Sequence, residues 1–101
     1  MAGFDVEGLD EVVHGRLRLG IMAYLAHAEA ADFNALKAAL KATQGNLSIH
    51  LRKLEEAGYI AIDKSFLNRK PLTRARLTEA GRKALKTYLD ALSKLVDGLK
   101  A

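Results

Sequence analysis

TQGNLSIHLRKLEEAGYIAI, from Thr43 to Ile62, reads as a capped helix that stops at a glycine and passes directly into a strand. Leu47, Leu51 and Leu54 recur at i, i+4 and i+7, which is one face of an α-helix. Gly45, Ile49, Arg52 and Lys53 fall on the opposite side. Thr43 is a good N-cap, and the helix is expected to run to about Ala57. Gly58 then follows just past the helix end, where a left-handed residue is most easily a glycine. Tyr59, Ile60 and Ile62 supply β propensity for a strand over Tyr59 to Lys64. A helix with one apolar face, one small and basic face and a strand behind it suits insertion into a DNA groove.

Upstream, Asn34 is read as the N-cap of a helix from Ala35 to about Lys41, with Leu36, Ala39 and Leu40 turned inward. Two short helices joined by a few residues make a helix-turn-helix unit. Ala31-Asp32-Phe33 has the length of a small strand. Before it, Leu9 to Ala28 is expected to be helical. Leu9, Val12 and Val13 form a short stripe, His14-Gly15 bends it, and Leu17, Ile21, Tyr24, Leu25 and Ala28 continue it. Gly20 inside that pattern disfavours the helix by about 0.5–1 kcal/mol relative to Ala, and close helix packing is the expected compensation.

Downstream, Ser65 to Lys70 is predicted to be a loop closed by Pro71, and Leu72 to Leu77 a second strand. Leu72, Arg74 and Arg76 share one face of that strand; Thr73, Ala75 and Leu77 share the other. A hairpin after a helix-turn-helix is a wing. Thr78 caps a last helix from Glu79 to about Leu99. There Leu85, Tyr88, Leu92, Leu95 and Leu99 alternate in steps of three and four, a heptad seam widened by Leu89 and Val96. An apolar face that long exceeds what one small core can cover, so a second subunit is expected on it. The fold class is therefore mainly α with a small β-hairpin: a winged helix-turn-helix with a long C-terminal dimerisation helix. Residues 1–8 are assigned to an N-terminal tail, 9–77 to the winged helix-turn-helix, and 78–101 to the C-terminal helix of the same domain.

The chain has 101 residues, enough for one domain with one modest core. Half of its residues are hydrophobic, which argues against global disorder. It has no cysteine, so neither a disulfide scaffold nor a thiolate metal site is available. No apolar run approaches a membrane span, and the acidic start lacks a signal peptide's basic region. The expected location is the cytoplasm. The net charge is +4, but its distribution is more telling. Residues 41–76 carry eight basic and three acidic side chains, whereas residues 1–40 carry three basic and six acidic. The positive charge is concentrated on the helix and hairpin just described, the footprint of a small nucleic-acid reader or of a solvated face.

Gly45 to Ile60 resembles the recognition-helix signature of prokaryotic winged-helix transcriptional regulators, specifically the small single-domain group close to the MarR and ArsR families. Three further stretches fit that group. His14 to Leu25, with Arg16-Leu17 before Ile21-Met22, resembles its first core helix. Arg69-Lys70-Pro71-Leu72-Thr73 resembles its wing. Leu77-Thr78-Glu79-Ala80-Gly81-Arg82 resembles the cap of its last helix. Together these cover about residues 9–92, and the run from Gly45 to Gly58 is the most specific. The resemblance implies a homodimeric, repressor-like binder of double-stranded DNA. It places the third helix in the major groove and the wing on the backbone or in the minor groove. The chain departs from larger relatives in having no separate effector domain, and it lacks the cysteines of thiolate metal sensors. A small-molecule effector or metal is not indicated.

On this reading Gln44, Asn46, Ser48 and Ile49 are the base-contacting candidates. Gln and Asn pair bidentately with adenine, and Ser hydrogen-bonds to several bases. Ile49 lies opposite an already complete apolar face and suits a thymine methyl or a partner protein. Thr43, Arg52, Lys53, Arg69, Lys70, Arg74 and Arg76 are the candidates for phosphate contact. Gly45 allows close approach to DNA or simply eases the turn. Phe66 and Leu67 are odd for a solvent loop and fold back on the sheet, contact DNA or meet a dimer mate. His50 lies at the edge between the two faces, suited to a structural or phosphate-adjacent role. His14 and His27 have no carboxylates at ligand spacing, and no metal site or cofactor is expected. No nucleophile lies near a histidine and acid, and no glycine-rich phosphate loop is present, so an enzyme is not expected. Two other readings use the same features: a winged helix for protein–protein contact, and an architectural DNA binder without sequence preference.

Overall fold

The computed structural model describes residues 6–100. The elements run α1 (Arg16–His27), β1 (Ala31–Asp32), α2 (Phe33–Leu40), α3 (Gln44–Glu56), β2 (Ile60–Leu67), β3 (Lys70–Leu77) and α4 (Glu79–Lys100). The three strands form one antiparallel sheet in the order β1-β3-β2. The first five residues of the expected N-terminal tail, and Ala101, lie outside the described residues.

The core forms where α1, α2 and α3 meet the sheet. Val13, Ile21, Met22, Leu25, Leu36, Leu47 and Leu54 are its fully buried side chains. Burying each large aliphatic side chain contributes about 1.5–3 kcal/mol. The predicted face Leu47, Leu51, Leu54 is the buried face of α3. Gly20 in α1 meets Leu40 of α2: a β-carbon there would lie 2.9 Å from the Leu40 Cδ2. Close helix packing is thus what the glycine serves.

The first helix is shorter than its periodicity suggests, starting at Arg16 rather than Leu9. Asp10 is the reason. Its Oδ1 accepts from the backbone N–H of Val12 at 2.7 Å and of Val13 at 3.2 Å, a local turn that competes with helix. Its other oxygen accepts from the Tyr59 hydroxyl. Burial raises the Asp10 pKa, but the bonds from Tyr59, Val13 and Val12 outweigh it and hold the carboxyl below its ordinary range. The same bond to Asp10, with burial, raises the Tyr59 phenol. This N-terminal strap also lies against α4, with Gly8 beside Ala91 and the His14 Nδ1 2.9 Å from the Tyr88 hydroxyl.

The second helix begins at Phe33 and is capped by Asp32, not Asn34: the Asp32 Oδ1 accepts from the Ala35 N–H at 2.7 Å. Lys41 closes it in a left-handed conformation (φ 51°), with Ala42 N–H bonding back to the Lys37 carbonyl at 3.1 Å. The third helix is capped by Thr43, whose Oγ1 accepts from Asn46 N–H at 3.2 Å. It ends as expected. Gly58 has φ 79°, its N–H bonds to the Glu55 carbonyl, and Tyr59 N–H bonds to the Leu54 carbonyl. That pair of bonds satisfies the orphan carbonyls of the last turn.

The hairpin is longer than predicted. Six residues were expected in its loop, Ser65 to Lys70, but β2 and β3 pair without interruption from Ile60↔Leu77 to Leu67↔Lys70. Only Asn68 and Arg69 form the turn, both with positive φ (52° and 66°). A two-residue turn of that hand matches the twist of the strands. Pro71 is tolerated within β3 because β1 pairs only with Arg74 and Ala75, so β3 has no third neighbour at the proline.

The last helix starts at Glu79, capped by Thr78, whose Oγ1 accepts from Gly81 N–H at 3.0 Å and donates to the Gly58 carbonyl at 2.6 Å. One side chain therefore joins the start of α4 to the end of α3. At 22 residues, α4 spans about 33 Å and outruns the domain. Of the expected dimer seam, Leu85 and Tyr88 are buried in the chain's own core, 7% and 2% exposed, and are not available to a partner. Leu92 and Leu95 are half-buried and Leu99 is exposed. Leu89 and Val96 are exposed as well.

Candidate nucleic-acid interface

The helix-turn-helix and the hairpin enclose one open cleft of about 700 Å³. Gln44, Ser48, Arg52 and Glu55 line it from α3, Asp32 and Asn34 from the start of α2, and Lys64 and Thr73 from the hairpin, so the cleft holds carboxylates as well as cations. Gln44, Ser48 and Arg52 share a helix edge because four residues return a helix nearly to the same azimuth. Asn46, Ile49 and Lys53 are exposed on the neighbouring edge, and Ile49 remains 51% exposed. The α3 candidates are thus all solvent-facing. Thr43 spends its hydroxyl on the cap, leaving the free N–H groups of the first helical turn for an anion. A β-carbon on Gly45 would meet nothing within 4 Å, so the glycine answers to no internal packing.

Strand alternation sorts the hairpin. Ile60, Ile62, Lys64 and Phe66 stand on one face of β2, opposite Leu77, Ala75, Thr73 and Pro71 of β3. This front face begins in the core with Ile60 and Leu77 and continues into the cleft with Ile62, Lys64 and Thr73. Arg74 and Arg76 stand on the reverse face, where they line a separate depression with Tyr24, Glu29 and Asp32. Carboxylates accompany them there. Arg74 lies in register between Asp32 and Asp63, and the Arg76 Nε is 3.7 Å from the Asp63 Oδ2. An exposed pair of that kind contributes little stability but does offset local positive charge. Arg69 and Lys70 are exposed at the hairpin tip. The structure therefore gathers Gln44, Ser48 and Arg52 around the cleft, leaves Arg69 exposed in the hairpin turn, and puts Lys70, Arg74 and Arg76 on the reverse face of the hairpin.

Two cleft residues escaped the sequence reading. Lys64 was read only as the end of a strand, although its alternation with Ile60 and Ile62 puts it on the cleft side. Asn34 was read as a cap; once Asp32 takes that role, Asn34 is an exposed amide on the cleft wall.

Behind α3, His50 is held by Arg18 of α1. Its Nδ1 lies 3.1 Å from the Arg18 Nη1, and Arg18 also donates through Nε to the Val12 carbonyl at 2.6 Å. Burial, then the charges of Arg18 and Lys53, push the His50 imidazole below its ordinary pKa. As a neutral acceptor it fixes Arg18 between the strap and α3. Among the described residues no three His, Asp or Glu side chains gather as metal ligands, and no helix is long and apolar enough to cross a membrane.

Residues 17–96, which hold the cleft, the hairpin and most of α4, match the winged helix DNA-binding domain family. The chain belongs to that family. A relative, protein MJ0432 of Methanocaldococcus jannaschii, is 38% identical over 79 residues, covering 78% of this chain and 86% of its own. Among solved structures, the transcriptional regulator homologue of Pyrococcus horikoshii OT3 is similar with a TM-score of 0.85 and 33% identity, over 91% of both chains. A MarR-family transcriptional regulator from Silicibacter pomeroyi superposes with a TM-score of 0.67 at 17% identity, over 93% of this chain and 62% of that one, and shares the fold. The chain is a small DNA-binding winged-helix regulator by family, and such domains are not enzymes.

Proposed function

We propose that this winged-helix protein binds double-stranded DNA sequence-specifically as a homodimer and represses transcription by occluding a promoter. The observation that supports this reading is the shared cleft, where the polar edge of α3 and the front face of the hairpin converge with Arg52 and Lys64 on opposite walls. α3 enters the major groove, and the hairpin follows the backbone toward the adjacent minor groove. Gln44, Asn46, Ser48 and Ile49 meet base edges, with Ile49 against a thymine methyl. Arg52, Lys53, Lys64, Arg69 and Lys70, together with the amides behind Thr43, hold phosphates. Arg74 and Arg76, on the reverse face among carboxylates, serve the sheet rather than the duplex. The second subunit lies along Leu89, Val96 and Leu99, which the domain leaves exposed on α4, with half-buried Leu92 and Leu95 beside them.

Selection of bound duplexes from a random pool tests this. The expected product is an inverted repeat with half-sites about one helical turn apart, resisting random competitor by ~10³ or more. Recovery of no common sequence, with equal displacement by random duplex, identifies an architectural binder instead. No retained duplex at low salt removes DNA from the account and leaves Ile49 and Phe66 as protein contacts.

A further inference from the structure

The hairpin tip carries two neighbouring apolar side chains that the domain does not bury, Phe66 at 76% exposure and Leu67 at 58%. Consecutive strand residues point to opposite faces. Phe66 shares the front face with Ile62 and Lys64, while Leu67 shares the reverse face with Arg74 and Arg76. Phe66 also stands directly across from Pro71, so the two rings make one apolar tip on the front. The tip is well fixed. Ladder pairing runs up to Leu67↔Lys70, and only Asn68 and Arg69 lie beyond it. From Lys64 to Arg76 the sequence holds five cations and no carboxylate; Lys64 shares the Phe66 face, Arg69 sits in the turn, and Lys70, Arg74 and Arg76 share the Leu67 face. An apolar ring with Lys64 on its own face and Arg69 in the adjoining turn is poorly suited to a cationic partner. It is well suited to a polyanion with an apolar interior.

We propose that Phe66 is a specificity-determining residue that enters the minor groove beside each half-site and wedges against a base step there. This rests on the DNA-binding reading above and adds a second point of sequence recognition to it. Apolar wedges at hairpin tips partly unstack a step, and pyrimidine–purine steps yield most easily. Phe66 lies four residues beyond Ile62, about 13 Å along the strand. With the hairpin running along the duplex, its preference falls on the flank outside the segment read by α3. Arg69, in the turn next to Phe66 and Leu67, holds a flanking phosphate.

Leu67 supplies the internal control, being equally apolar, adjacent and aimed the other way. The duplex selected by the wild-type protein is compared with one whose flanks alone are changed from a TA step to G·C pairs. Binding is measured by fluorescence anisotropy for wild type, Phe66→Ser, Phe66→Leu and Leu67→Ser, with circular dichroism confirming the fold of each. The wild type is expected to prefer the TA flank. Phe66→Ser is expected to bind about tenfold or more weakly and to lose that preference, with its salt dependence unchanged because no cation is removed. Phe66→Leu should keep part of the preference, and Leu67→Ser all of it. Equal flank discrimination by Phe66→Ser and wild type overturns the proposal while leaving DNA binding intact, as does an equal loss in Leu67→Ser. A change of oligomeric state in Phe66→Ser assigns the ring to a subunit contact and also overturns it. Failure of the wild type to bind any duplex removes the underlying reading as well.

Discussion

Gly81 lies against the backbone of Tyr59 so closely that a β-carbon on it would sit 2.0 Å from the Tyr59 carbonyl oxygen. The first turn of α4 is thereby seated on the residue that links α3 to β2. Thr78 makes the junction from the other side, with its N–H bonded to that same carbonyl at 3.0 Å. The obstacle to any side chain at Gly81 is main chain, which cannot swing away. Gly81→Ala is expected to destabilise the fold by about 1–3 kcal/mol, as overpacking against an immobile neighbour does. Urea unfolding checks it, and a loss below about 0.5 kcal/mol would show that the junction can shift freely.

Gly45 presents the opposite case, with open space where a β-carbon would go. Gly45→Ala is expected to raise stability by about 0.5 kcal/mol through helix propensity. If α3 lies in a major groove, the added methyl should weaken duplex binding while the protein melts higher. A higher melting temperature with unaltered affinity would assign the glycine to the turn alone.

The surroundings of His50, first its burial and then Arg18 and Lys53, make stability depend on pH. The folded protein takes a proton at His50 less readily than the unfolded chain, because burial, Arg18 and Lys53 all disfavour the cation. Acidification therefore favours unfolding. This contribution is present above about pH 6.5, the ordinary histidine value, and is lost as pH falls from there through the lower folded value. Thermal unfolding at pH 7.5 and 5.5 should show a smaller acid-induced drop in His50→Gln than in wild type. Equal drops would remove His50 as the cause.

The α4 stripe predicts the assembly. Val96 is exposed in the monomer, so Val96→Glu leaves the core intact while placing charge in the proposed seam. Sedimentation should give monomers with unchanged secondary structure. Binding to an inverted repeat should then fall by ~10² or more, because the second half-site is no longer tethered. A dimer that survives the substitution puts the subunit contact elsewhere.

Much of this was legible in the sequence because the signals were redundant. The face Leu47-Leu51-Leu54, the Thr43 cap and the Gly58 stop all point to one helix, and each is realised. Errors arose where two local signals competed. Asp10 draws the amides of Val12 and Val13 into a turn that periodicity reads as helix. Asp32 and Asn34 are both able to cap α2, and spacing alone does not choose between them. The hairpin turn contains no glycine, so Asn68 is the one turn signal in its left-handed pair Asn68-Arg69, and exposed Phe66-Leu67 reads as loop. The cleft was half visible. The edge of α3 follows from helical spacing, but the sign of each hairpin residue, toward or away from α3, depends on register. Strand alternation from Ile60 outward contains that information for Lys64. It needs the knowledge that Ile60 is the buried end, which comes only with tertiary packing. The same register separates Leu85 and Tyr88, which the domain buries, from the rest of the α4 seam.

The account depends most on which side of the hairpin faces the duplex. The slope of log affinity against log salt, measured on one selected duplex for wild type, Lys64→Ala and Arg74→Ala, tests this directly. The slope should flatten by about one unit for Lys64→Ala, one phosphate contact fewer, and stay as in wild type for Arg74→Ala. A flattened slope for Arg74→Ala together with a wild-type slope for Lys64→Ala would place the DNA on the reverse face and contradict the account.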